Sequence, residues 1–120
     1  MGDWRLASPY WQYGALLAIS QSMRINPHYA KTIKAITRDI YGPDAVVRLF
    51  GSRAFDDRRG GDIDLHVEVD PQFAAMKFAS QFHLAMEDRL GEEQIDLVVF
   101  ERGQEPRWID KAAFREGIIL

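Results

Sequence analysis

The chain has no cysteine, which excludes disulfide staples, thiolate zinc sites and a cysteine nucleophile. It has no apolar run close to the roughly 20 residues of a membrane-spanning helix. Ala15–Ile19 is too short for a signal-peptide core, so the cytoplasm is the expected location. A basic stripe is missing too. With a net charge of −3 and a pI near 5.6, the chain is not expected to grip long nucleic acid by itself. Internal repeats and low-complexity tracts are absent. What remains is 120 residues of which 47% are hydrophobic, enough for one domain with a modest core.

The excess negative charge is local. Residues 51–70 hold Arg53, Arg58 and Arg59 against Asp56, Asp57, Asp62, Asp64, Glu68 and Asp70, and the rest of the chain is balanced. Within that stretch, Asp62-Ile63-Asp64-Leu65 alternates polar and apolar residues, so both carboxylates face one side of a strand while Ile63 and Leu65 face a core. Same-face neighbours lie roughly 7 Å apart. At an effective dielectric of 20, two carboxylates at that distance repel by about 2.4 kcal/mol. A third carboxylate, Asp96, lies in a later apolar strand among Val98 and Phe100, where it needs a partner. Oxygen-only donors of this kind suit a hard divalent cation such as Mg²⁺. They point to metal-dependent phosphoryl or nucleotidyl transfer.

Asn26-Pro27 starts a helix carrying Ile33, Ile36 and Ile40 at helical spacing, and Gly42-Pro43 stops it. Ala45–Phe50 is a short strand that runs into Gly51-Ser52. Residues 53–61 form a loop or single turn, and Asp62–Val69 is the second strand. Asp70-Pro71 repeats the helix start, predicting one helix to about Leu90 with Phe78, Phe82 and Met86 on its inner stripe and Gly91 as its cap. Gln94–Phe100 is the third strand and residues 107–116 the last helix. The order is that of an α/β sandwich with a small sheet. Residues 1–22 form an aromatic-rich extension able to make a helix, and residues 23–120 form the domain.

Each part of the constellation has a plain reading. Gly51-Ser52 after a strand is commonly a turn, although glycine also lets a phosphate approach and Ser52 offers a hydroxyl. His66 shares the aspartate face, where a surface or hydrogen-bonded histidine is the simpler reading than a ligand. Arg53 is a candidate phosphate contact, with a solvated loop arginine as the alternative. The combination is more specific than any part. Leu49-Phe50-Gly51-Ser52-Arg53, then Gly60-Gly61-Asp62-Ile63-Asp64-Leu65, then Ile95-Asp96-Leu97, resembles the polymerase β-type nucleotidyltransferase superfamily. Within it, the chain is similar to the small stand-alone proteins called minimal nucleotidyltransferases, over about residues 23–120. It departs from many antitoxin-type relatives at Phe55-Asp56, where they carry Arg-Gly.

The resemblance implies a small mixed sheet flanked by helices. It implies that Gly51 and Ser52, with Arg53 nearby, hold the triphosphate of ATP or another NTP, and that Asp62, Asp64 and Asp96 ligate two Mg²⁺ ions, with Mn²⁺ as a substitute. It also implies transfer of AMP to an acceptor hydroxyl on a small helical partner, often a HEPN-domain toxin. A non-catalytic antitoxin that binds its partner stoichiometrically, and transfer to a small molecule such as an aminoglycoside, are the competing functions. A homodimer built on the aromatic extension is left open.

Overall fold

The structure is a computed structural model that describes residues 26–50, 63–91 and 94–120. The extension at residues 1–22 and the loop at 53–61 lie outside the described residues. Asn26 caps the first helix, its side-chain oxygen accepting a hydrogen bond from the His28 N–H at 2.7 Å. This helix, α1, spans Pro27–Tyr41 and ends at Gly42, whose φ of 91° favours glycine. Ile33 and Ile36 are buried as their spacing predicts, and Tyr41 joins them.

Strand β1 is Val46–Phe50 and β2 is Ile63–Val69. The helix predicted from Asp70-Pro71 is divided in two. Pro71–Phe73 makes one 3₁₀ turn, Ala75 is extended, and α2 runs from Met76 to Leu90. Asp70 does not cap because its Oδ1 accepts a hydrogen bond from Arg102 Nη1 at 3.0 Å. Gly91 closes α2 as expected, at φ 82°. Strand β3 is Ile95–Glu101, α3 is Trp108–Glu116, and Ile118–Ile119 forms a fourth strand, β4, that the sequence reading did not include.

The sheet order is β3-β2-β1-β4, with β2 and β3 parallel and the other two pairings antiparallel. It is therefore a mixed sheet. Its first face presents Val47, Leu49, Ile63, Leu65, Val67 and Val69 to Ile33, Ile36, Tyr41, Phe82 and Met86 of α1 and α2, and this is the core. Burying side chains of this size stabilises by about 1.5–3 kcal/mol each before entropy is counted. The second face carries Arg48, Phe50, Asp64, His66 and Glu68, and α3 packs on it through Asp110 and Phe114. No helix among the described residues is long and apolar enough to cross a membrane.

Candidate active site

The strand register brings Phe50, Asp64 and Asp96 side by side at one end of the second face: Phe50 faces Asp64 across β1 and β2, and Asp64 faces Asp96 across β2 and β3. Adjacent strands lie about 4.8 Å apart. The two carboxylates thus occupy neighbouring positions on one face, where the last residue of β1 meets the first residues of β2 and β3. Asp64 is half-buried and engaged in an interaction, while Asp96 is exposed. Asp96 is the second residue of β3, exposed at the end of the strand, and Val98 and Phe100 continue its face as expected.

Gly51, Ser52, Arg53 and Asp62 lie outside the described residues. Among the described residues, no three His, Asp or Glu side chains gather closely enough to hold a metal ion. Asp64 and Asp96 supply two oxygen donors, a set whose chemistry suits a hard cation.

Two residues beyond Asp64, His66 is completely buried. Its Nε2 lies 2.8 Å from Asp110 Oδ1, and its ring is surrounded by Phe50, Phe100 and Phe114 at centroid distances of 6.3, 6.2 and 5.3 Å. Burial lowers the His66 pKa, and it outweighs the opposing effect of the hydrogen bond to Asp110. Burial thus favours the neutral imidazole. An ionised carboxylate only accepts, so Nε2 carries the hydrogen and donates it to Asp110. The bare Nδ1 lone pair is buried with no partner among the described residues.

Asp110 is equally buried. Burial works to raise its pKa, but hydrogen bonds from Arg107 and His66 prevail and bring it down to about 2. Arg107 donates from Nε and from its own backbone N–H to Oδ2, and from Nη2 to Oδ1. The same Nη2 also donates to the Val99 carbonyl of β3 at 2.9 Å. At the far end of this face, Glu68 accepts from Arg48 at 2.9 Å and from Arg102 at 3.0 Å. Those bonds overcome its burial and hold its carboxyl below the ordinary range. Arg48 also lies 4.9 Å above the Phe114 ring.

Asp110 and Arg107 were missed by the sequence reading, although a signal was present. Asp110, Ala113 and Phe114 share an i, i+3, i+4 stripe, so the helix that buries Ala113 also buries this carboxylate, and Arg107 stands one turn before it.

Searches of the curated proteins and of the solved structures gave no match. A family model described as the nucleotidyltransferase domain matches residues 30–118. That stretch takes in α1 from Ala30 onward, all of the strands but the last residue of β4, and the aspartates of β2 and β3. The chain belongs to the nucleotidyltransferase domain family, in the polymerase β-like superfamily, and nucleotidyl transfer is its general chemistry.

Proposed function

We propose that this protein transfers a nucleoside monophosphate, AMP from ATP, to a hydroxyl on a protein acceptor, using Asp62, Asp64 and Asp96 to hold Mg²⁺. The observation that carries this reading is the register that sets Asp64 against Asp96 beside Phe50, the residue immediately before Gly51-Ser52. Two bound divalent ions would supply charge stabilisation at the attacking and leaving oxygens of an in-line displacement. The chain's own residues do the rest. Gly51 and Ser52 receive the triphosphate, with Arg53 as a further contact. The acceptor oxygen bonds to the α-phosphorus as the bond to pyrophosphate breaks, and exposed Asp96 takes up the hydroxyl proton. The acceptor proposed from the family resemblance is a small helical protein of the HEPN type, in the cytoplasm.

The test is transfer of label from ATP labelled at the α-phosphate to a co-purified partner, with Mg²⁺ or with EDTA. Asp64→Asn and Asp96→Asn should each lower transfer by about 100-fold or more while keeping the wild-type circular dichroism spectrum. Transfer that persists in EDTA or in both variants would remove these carboxylates from the chemistry. If the folded variants still neutralise the partner, stoichiometric binding takes the place of catalysis as the biological role.

A further inference from the structure

We infer that His66, Asp110 and Arg107 form a brace that sets the spacing of Asp64 and Asp96, so that His66 is a positioning residue for the cation site. This rests on the function proposed above.

The hydrogen bonds run from one carboxylate's strand to the other's. His66 belongs to β2 with Asp64, and it donates to Asp110 on α3 at 2.8 Å. Arg107 grips the same carboxylate through Nε at 2.9 Å and Nη2 at 3.0 Å. Its Nη2 then reaches the Val99 carbonyl on β3, the strand of Asp96. The sheet ladder already joins these strands, but a parallel pair has slanted hydrogen bonds and is slightly less stable per residue than an antiparallel one. A side-chain strap across such a pair fixes twist and separation beyond what the ladder sets.

The choice of residue is also costly unless it has a purpose. A leucine at position 66 would fill the space among Phe50, Phe100 and Phe114 with no polar atom to satisfy. The histidine instead leaves Nδ1 buried without a partner among the described residues, and it keeps an ionised Asp110 under α3. What this arrangement adds over an apolar core is direction. The Phe50 ring meets His66 nearly edge-on, at 84°, and Phe50 is the register partner of Asp64. One imidazole thereby orients the residue entering Gly51-Ser52 and the strand bearing Asp64. Groups that hold metal ligands in place by hydrogen bonding typically contribute 10–100-fold to metal affinity or activity.

The experiment measures Mn²⁺ alone, by electron paramagnetic resonance titration of the full chain without nucleotide. The variants are His66→Leu, His66→Gln, Asp110→Asn and Asp64→Asn, each checked for its fold by near-ultraviolet circular dichroism. His66→Leu should bind Mn²⁺ about 10-fold more weakly than wild type. His66→Gln, whose amide N–H can still reach Asp110, should return to within about 3-fold, a rescue that loss of packing alone would not give. Folded His66→Leu with wild-type Mn²⁺ affinity would overturn the inference. If His66→Leu does not fold, Asp110→Asn decides: weaker Mn²⁺ binding supports the brace, and unchanged binding overturns it. The two readings fail differently. Wild-type protein that binds no Mn²⁺ would defeat the proposed site and the brace together. Binding that Asp64→Asn abolishes and His66→Leu leaves intact would defeat the brace alone.

Discussion

Tyr41 and Asp110 are both buried polar groups, and they meet opposite fates on opposite faces of the sheet. Asp110 accepts from two side chains and a backbone N–H. The Tyr41 hydroxyl has no partner among the described residues, and burial raises its pKa to about 12. Its ring packs against Phe78 and Phe82 at 6.3 and 6.0 Å, so the aromatic body is well used and only the oxygen is stranded. An unsatisfied buried hydroxyl costs about 1–3 kcal/mol. Tyr41→Phe keeps the ring and removes the oxygen. It should raise stability by about 1 kcal/mol, read as a higher urea midpoint at unchanged slope. A fall in the midpoint would mean that the hydroxyl has a partner in solution. The sequence reading named Ile33, Ile36 and Ile40 but not Tyr41, which lies two i+4 steps beyond Ile33 on the same face, and the fate of its hydroxyl depends on α2.

The elements show why some of the fold could be read from the chain and some could not. Signals held within a few residues survived: Asn26 caps α1, Gly42 and Gly91 end helices at positive φ, and the alternation in Ile63–Val69 sorts the two faces of β2. Signals that compete with distant groups did not. Asp70 has the sequence of a cap, yet Arg102, 32 residues away, takes its carboxylate and shifts the start of α2 to Met76. The strand β4 was hidden because two residues carry no alternation, and only pairing with Arg48 and Leu49 makes them a strand. The turn into β4 depends on Gly117. A Cβ there would stand 2.5 Å from the Ala113 carbonyl oxygen and 3.1 Å from Arg48 Cβ. That oxygen accepts the Gly117 N–H at 2.8 Å, so it cannot move aside without losing the bond that ends α3. Gly117→Ala should therefore cost about 1–3 kcal/mol, measured by urea denaturation. A variant as stable as wild type would show that α3 and β4 shift together at little cost. Of the site, the Asp64–Asp96 pairing was legible because two short strands each carry an aspartate at the same point of their apolar pattern. The burial of Asp110 could be read from its helical stripe, but its partner could not, because nothing local ties it to His66, 44 residues earlier.

Acid should weaken the molecule as a whole through the carboxylates on the second face. Asp110 has a pKa of about 2 in the folded protein against an ordinary 3.8, and Glu68 is also held below its ordinary value. A depressed carboxylate contributes stability that is fully present above its unfolded pKa and is lost as the pH falls through its folded one. For Asp110 that window runs from about pH 4 down to about pH 2, and the whole contribution is on the order of 2 kcal/mol. Roughly half of it is gone at pH 3. In a domain whose total stability is about 5–15 kcal/mol, this is a sizeable share. The brace between α3 and the β2–β3 pair loosens in that range, when Asp110 takes up a proton and can no longer accept through both oxygens as an ion. Asp110→Asn removes this titration. Wild type should exceed the variant in stability at pH 6, and the gap should narrow by about 1 kcal/mol at pH 3. Urea denaturation of both proteins at the two pH values measures it. A gap that stays constant would mean that Asp110 retains its proton affinity on folding, and that its bonds to Arg107 and His66 stabilise the protonated form as well as the ionised one.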